Sequence, residues 1–239
     1  MCGRYTLRSR GKAKPYGVPA SQLPLTELLT LVPRYNIAPS QDVPVIIERP
    51  NGREMEMLQW GLVPSWSTEA NNSGGGLGGL INARAETLAE KPSFAESFQR
   101  RRCLIPADGF YEWKRSGKLK QPFFFQMKDE SLFAFAGIWD KWQRDGRSIT
   151  SCTIITTTPN ELLEPIHDRM PVILTADAYD AWLRADADPR ELKALLAPYP
   201  AAAMKSFPVS TKVNSALVDE APLVEPIELK PEMTSGLLF

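Results

Sequence analysis

Twenty-one prolines, spread along 239 residues, restrict the possible folds more than any other feature of this sequence. Proline has no backbone N–H and clashes with the preceding helical turn, so this distribution excludes long helices. Six segments between the prolines are rich in β-branched and aromatic residues, which favour strands. These segments are 43–48, 55–62, 122–127, 132–139, 149–157 and 171–174. The sequence therefore predicts many short strands.

Helices are predicted to be few, short and peripheral. Apolar periodicity and capping residues indicate helices at 21–31, 93–101, 160–164, 176–184 and 192–196. No internal repeat or break in composition divides the chain, and a hydrophobic content of 43% is enough for one core. We predict a single β-rich α+β domain over residues 1–226, followed by a C-terminal tail at 227–239. The glycine-rich segment 71–79 is predicted to be a flexible loop.

Charge and cysteine content narrow the class of protein. The 28 basic and 28 acidic residues give a formal net charge of zero, so a polyanion would have to bind to a local basic cluster. No apolar run reaches membrane-spanning length and no secretion signal is present, which predicts a cytoplasmic protein. The three cysteines are Cys2, Cys103 and Cys152. Because the chain has a single histidine, we expect no metal and no cofactor, with Cys103 and Cys152 in the core.

The second residue offers chemistry that an internal cysteine lacks. Removal of Met1 would leave Cys2 with a free α-amine beside its thiol, which together form a 1,2-aminothiol. The amine condenses with an aldehyde to an imine, and the thiol then closes a five-membered thiazolidine. An unperturbed α-amine has a pKa of about 7.7 to 8.0, so part of it is nucleophilic at neutral pH. Many chains carry a small residue after Met1 without such a purpose, so Cys2 alone leaves the function open.

Three further polar residues, Asn82, Glu112 and His167, are candidates for proton transfer or substrate binding. Asn82 and Arg84 lie two apart and share a face if this segment is extended. Glu112 stands between two aromatic residues, where desolvation raises a carboxyl pKa and favours a general acid. His167 is the only histidine and is the side chain best able to carry protons at neutral pH.

Each of these residues also has a structural interpretation. Asn82 could cap a turn, Glu112 could form an ion pair, and His167 could be a hydrogen-bonded structural residue. Trp60 and Trp66 could lie in the core or could stack on nucleic-acid bases. Considered singly, none of the five decides the function.

Taken in order, six segments resemble the SOS-response-associated peptidase family, known as SRAP. They read MCGR at 1–4, RYNIAP at 34–39, WGLVPSW at 60–66, INARAET at 81–87, CLIPADGFYEW at 103–113 and IHDRMP at 166–171. The resemblance implies a compact β-rich α+β fold around a positively lined groove. It also implies covalent capture of abasic sites in single-stranded DNA, without a cofactor, by a monomer. The family name refers to a second, peptidase activity on the residue before the cysteine.

The resemblance also implies roles for individual residues. The catalytic set comprises Cys2, Asn82, Glu112 and His167, with Asn82 orienting the aminothiol, Glu112 exchanging a proton with the sugar oxygen and His167 shuttling protons. The DNA-binding set comprises Arg4, Asn36, Pro39, Trp66, Arg84, Thr156 and Arg169. The predicted product is a thiazolidine DNA–protein crosslink through Cys2, a lyase-like activity with associated autoproteolytic removal of Met1. An aminopeptidase could equally remove Met1.

Two other classes of function remain open at this point. Glutamine amidotransferases also mature to an N-terminal cysteine, with the α-amine as base and the thiol as nucleophile. Alternatively, the chain could be a non-covalent single-stranded DNA-binding module in which Cys2 is incidental.

Overall fold

The computed structural model describes residues 2–8, 30–69, 79–117 and 119–229. Within these ranges the dominant element is the strand. The strands are β1 Tyr5–Leu7, β2 Arg34–Ile37, β3 Asp42–Arg49, β4 Gly52–Trp60, β5 Asn82–Arg84, β6 Arg102–Ala107, β7 Gly109–Ser116, β8 Leu119–Met127, β9 Phe133–Arg144, β10 Arg147–Thr157, β11 Met170–Pro171, β12 Ile173–Leu174 and β13 Met204–Pro208. The α-helices are α1 Ala95–Arg100, α2 Tyr179–Leu183 and α3 Pro189–Ala194. Short 3-10 turns complete the described structure.

The strands form two sheets. One sheet is antiparallel, with the order β13-β8-β7-β1-β2. In the other, β10, β4, β3, β6 and β9 pair in turn and β9 pairs again with β10, which closes a small barrel. Strands β5 and β11 add to β10, and β12 adds to β9. Barrel closure removes the free edges of the five strands that form it.

One hydrophobic cluster joins the two sheets. Tyr5 and Phe110 of the open sheet pack against Trp60 and Phe135 of the barrel, with the Tyr5 and Trp60 ring centroids 5.4 Å apart. A second cluster lies under the helices, where Trp182 is fully buried. The N-terminal strand is therefore held inside the molecule.

The position of the N-terminus is further fixed by a buried carboxylate. Asp108 is 3% exposed and accepts hydrogen bonds from the Thr6 hydroxyl and from the backbone N–H of Arg8, the latter at 2.7 Å. The Arg8 side chain also donates to Asp108 at 3.1 Å. Hydrogen bonds to a charged group are stronger than neutral ones. These bonds hold β1 beside β7.

The predicted fold class, a single β-rich α+β domain, is confirmed, and each of the six predicted strands is present. The predicted strand at 171–174 corresponds to two strands of two residues each, Met170–Pro171 and Ile173–Leu174. The predicted helices at 93–101, 176–184 and 192–196 correspond to α1, α2 and α3, with shorter or shifted bounds. None of the described helices is long and apolar enough to cross a membrane.

The predicted helix at 160–164 is wrong, because these residues form turns. The Asn160 side chain accepts from the backbone N–H groups of Leu162 and Leu163 at 3.1 and 3.0 Å, as an N-cap does, but Pro165 has no backbone N–H with which to continue the turn as a helix. Six strands were not predicted, namely β1, β2, β5, β6, β7 and β13. The helix at 21–31 and the loop at 71–79 lie outside the described residues except at their C-terminal ends. The domain boundary at residue 226 stays a prediction.

Candidate active site

Cys2 lies just before β1 and is fully buried. The backbone N–H of Tyr111 donates to the carbonyl of Arg4 at 3.0 Å, so the N-terminal segment runs beside β7. Burial raises the pKa of the Cys2 thiol, and the nearby charge of Glu112 raises it further. The resting thiol is therefore protonated at neutral pH and needs a base before it can act as a nucleophile.

Asn82 connects Cys2 to the barrel. Its Nδ2 donates to the Cys2 carbonyl at 2.9 Å, which leaves Oδ1 as the remaining acceptor of the amide. This Oδ1 is buried and has no hydrogen-bond partner within the described parts of the chain. The Trp60 indole donates to the carbonyl of Ile81 at 2.9 Å, and β5 pairs in parallel with β10. Strand β5 thus holds the Asn82 amide against Cys2 and leaves one buried acceptor of that amide unused.

Glu112 and His167 form a pair of proton-carrying groups next to Cys2. Glu112 is 1% exposed, and burial raises its pKa to about 7. Its Oε2 lies 3.9 Å from His167 Nε2. The pair joins a strand of the open sheet to the loop that precedes β11. A carboxyl group with a pKa near neutrality can both donate and accept a proton at physiological pH.

The environment of His167 sets its tautomer. The backbone N–H of Arg169 donates to Nδ1 at 3.0 Å, which assigns the proton of the neutral ring to Nε2, on the side of Glu112. Asp168 Oδ1 also lies 3.0 Å from Nδ1. Burial is the main reason that the pKa of His167 is lowered, so the ring is neutral at pH 7. The His167 side chain keeps 24% exposure and can pass protons to solvent.

Three of the residues predicted to bind DNA have accessible surface. Arg84 is exposed at the end of β5, and in the part of the chain that is described it forms no ion pair. Trp66 is 62% exposed, and its indole N–H donates to the Pro92 carbonyl at 3.3 Å. Pro39 is half-buried between β2 and β3. These side chains can meet a ligand without rearrangement.

Arg4 and Asn36 instead hold the chain itself. Arg4 donates to Asn36 Oδ1 at 2.9 Å and to the Val213 carbonyl at 2.7 Å. Asn36 is fully buried and donates to the carbonyls of Ser215 and Val218 at 2.9 and 2.7 Å. The network anchors the C-terminal segment against β2. A direct contact of either residue with DNA stays a prediction.

Arg169 and Thr156 are also turned inward. The Arg169 guanidinium binds both carboxylate oxygens of Glu86, at 2.6 and 2.9 Å, and donates to the Thr156 carbonyl at 2.6 Å. Thr156 is fully buried, and its hydroxyl has no hydrogen-bond partner among the described residues. Such a bidentate pair fixes the loop that carries His167. A role of Arg169 or Thr156 in DNA binding likewise stays a prediction.

The structure adds a positioning residue that the sequence did not reveal. Asp140, 4% exposed on β9, accepts from the Ser65 backbone N–H at 2.9 Å and lies 3.3 Å from Arg101 Nε. The neighbouring Trp142 indole donates to the Ser67 carbonyl at 2.9 Å. Strand β9 thus holds both sides of Trp66. In the sequence, Asp140 is only an aspartate directly after the predicted strand 132–139, and this position does not reveal which residues it contacts.

The remaining candidates are structural. Trp60, Cys103 and Cys152 are fully buried, which confirms the prediction of a core position for the two cysteines. Over the described ranges, no group of three or more histidine, cysteine, aspartate or glutamate residues is placed to hold a metal ion.

Fold and site together define a β-rich protein in which an N-terminal cysteine is recessed between two sheets beside an amide, a carboxyl group and an imidazole. Residues 1–216 match the sequence model of the family described as SOS response associated peptidase (SRAP), and the chain belongs to this family.

Similar proteins include the abasic site processing protein YoqW of Bacillus subtilis, which is 44% identical over 232 residues, covering 94% of this chain and 99% of YoqW. The abasic site processing protein YedK of Escherichia coli is 32% identical, with 81% and 85% of the two chains covered. Among solved structures, a protein from Bacteroides thetaiotaomicron has a TM-score of 0.76 at 27% identity, covering 95% of this chain and 100% of the other.

Proposed function

We propose that this protein processes abasic sites in DNA, and that it does so by forming a covalent crosslink through Cys2. The contact between Asn82 and the Cys2 carbonyl carries the proposal, because it holds the cysteine beside Glu112 and His167. Relatives that are 44% and 32% identical are named abasic site processing proteins. The substrate is single-stranded DNA, in which the damaged sugar can turn out to reach a recessed residue.

The reaction begins once hydrolysis has removed Met1. An abasic deoxyribose opens by breaking its C1′–O4′ bond, which exposes an aldehyde at C1′. The Cys2 α-amine adds to this carbon and water leaves, which produces an imine. The Cys2 sulfur then adds to the imine carbon, and the thiol proton ends on the nitrogen. The product is a thiazolidine, and one water molecule is released overall.

Glu112 and His167 supply the proton transfers. Protonated Glu112 donates to the ring oxygen as the sugar opens, and its carboxylate later accepts the thiol proton, since the thiol is neutral at rest. His167 carries protons between Glu112 and solvent. The free Oδ1 of Asn82 accepts a hydrogen bond from the amine or the carbinolamine hydroxyl. General acid–base help of this kind contributes about 10²- to 10⁴-fold for each group.

The same groups are candidates for the peptidase step. Cys2, which follows Met1 in the chain, lies near Glu112, and Glu112 in turn pairs with His167. We propose that the chain removes Met1 itself. Under this proposal a Glu112→Gln variant purified from cells retains Met1 to a greater extent than the wild type does, as measured by intact mass.

Mass spectrometry tests the function directly. The mature wild-type protein, mixed with an abasic single-stranded oligonucleotide, should gain the mass of the oligonucleotide less one water and remain conjugated after heating. Cys152→Ala removes another buried thiol and is the matched control, which should still react. Processed protein that never gains this mass would contradict the proposal. Glutamine hydrolysis would favour an amidotransferase, and salt-sensitive binding without a conjugate would favour a binding module.

A further inference from the structure

The hairpin formed by β7 and β8 extends from the active site and carries basic side chains at its end. Lys114, Arg115 and Lys120 are exposed there. Arg115 lies directly opposite Lys120 in the antiparallel register. Neither forms an ion pair within the described residues. We refer to Lys114, Arg115 and Lys120 as the hairpin cations.

The placement of like charges opposite each other is unfavourable in the free protein. Directly opposed residues in an antiparallel pair have Cβ atoms about 4.5 to 5.5 Å apart, and like charges on such residues destabilise the pair. The chain has as many acidic as basic residues, so an overall excess of basic residues does not explain this pair. A bound polyanion would neutralise both charges, so the arrangement fits a phosphate-binding surface.

The hairpin cations are also close to the reacting groups. Lys114 is two residues beyond Glu112 on β7 and shares its face of the sheet, whereas Arg115, about 10 Å along the strand from Glu112, points to the other face. Burial is the main cause of the lowered pKa of His167, and the positive charge of Arg115 lowers it a little further. Leu119 at the tip is 69% exposed, so the end of the hairpin is open to solvent.

The hairpin and Arg84 belong to different walls of the site. Arg84 follows Asn82 on β5, which pairs with the barrel strand β10, whereas Arg115 follows Glu112 on the open sheet. Cys2 lies between Asn82 and Glu112. Exposed cations therefore stand on strands of both sheets that flank the cysteine, and among the hairpin cations Lys114 shares the face of Glu112.

We propose that the hairpin cations bind the phosphates of the DNA strand on one side of the lesion, while Arg84 serves the other side. The inference rests on the proposed function, since it takes DNA as the ligand. It predicts that the DNA strand crosses the site from Arg84 on the barrel to the hairpin. Binding of the DNA on only one side of the abasic site should therefore depend on the hairpin cations.

The test compares Arg115→Gln/Lys120→Gln with wild type on three probes: undamaged single-stranded DNA, and abasic oligonucleotides extended only 5′ or only 3′ of the lesion. For the undamaged strand, the slope of log affinity against log salt should become shallower by about 1.4, since each lost phosphate contact contributes about 0.7. Conjugation at subsaturating DNA should slow for one extended oligonucleotide and not for the other. Arg190→Gln/Lys193→Gln on α3 removes the same charge away from the site and should change neither measurement.

The outcomes separate this inference from the proposed function. An unchanged salt slope in the hairpin variant, with normal conjugation, would overturn the hairpin surface alone. A shallower slope in a protein whose wild type never conjugates would support the surface and refute the crosslink. Equal slowing on both flanks would overturn the one-sided assignment.

Discussion

The catalytic cluster and the accessible basic rim of this protein differ most in their contact with water. Cys2 and Glu112 are buried, and burial raises the pKa of both groups. Arg84 and the hairpin cations are exposed, and solvent and salt screen their charges. Burial therefore tunes groups that must exchange protons, while exposure leaves the cations available to a polyanion. Substitutions in the two regions should fail in different ways.

The largest effect is expected at Cys2. Cys2→Ala should abolish the heat-stable conjugate, because no thiol remains to close the ring. Cys2→Ser should leave at most a labile imine or oxazolidine, since oxygen is the poorer nucleophile in this step. Denaturing electrophoresis before and after heating measures both. An equally durable conjugate with Cys2→Ser would exclude ring closure through sulfur.

Glu112→Gln should slow capture by about 10²- to 10⁴-fold while DNA affinity is maintained. In the wild type, the fraction of Glu112 that is protonated falls as pH rises through about 7. The fraction of the α-amine that is unprotonated rises as pH approaches about 8. The rate should therefore peak between these values and fall on either side. The variant should lose the fall at high pH. The single-turnover rate of crosslinking, measured over a pH series with Met1-free wild type and variant, tests this prediction. The same pH profile in both proteins would show that Glu112 takes no part in the chemistry.

Burial of Glu112 should also affect folding stability. Its pKa rises from 4.5 unfolded to about 7 folded, so the folded state binds more protons between these values and stability declines as pH rises through this window. From about pH 5 to about pH 8 the wild type should lose about 2 to 3 kcal/mol relative to Glu112→Gln. Urea unfolding at both pH values measures the difference. An equal loss of unfolding free energy in the two proteins would show that burial does not raise the pKa of Glu112.

The smallest effect is expected on the rim. Arg84→Ala should weaken binding of undamaged single-stranded DNA and reduce the salt slope by about 0.7, the value for one phosphate contact. The rate of conjugation at saturating DNA should change little, since Arg84 touches neither Cys2 nor Glu112. Fluorescence anisotropy over a salt series gives the slope. A change in the saturated rate with an unaltered slope would place Arg84 in the chemistry instead.

The strands and the catalytic residue types were predictable because they depend on local sequence. Alternating β-branched and aromatic residues predicted β3, β8 and β10, and the aromatic neighbours of Glu112 predicted its raised pKa. The short strands β1 and β5 were missed, since three residues carry too little periodicity. These two strands nonetheless place Cys2 and Asn82 in contact. The helix predicted at 160–164 is a turn instead, because Pro165 prevents the capped turn at Asn160 from continuing.

The sequence by itself determined the many short strands, the shortness of the helices and the presence of Cys2, Asn82, Glu112 and His167 in segments that resemble one family. Only the tertiary structure decided that Cys2 is buried and that Asn36 and Arg169 are held by internal partners. The physical reason is the distance along the chain between the residues that set each property. Backbone preference is set by adjacent residues, whereas burial, ion pairing and pKa depend on segments that meet only after the open sheet packs on the barrel.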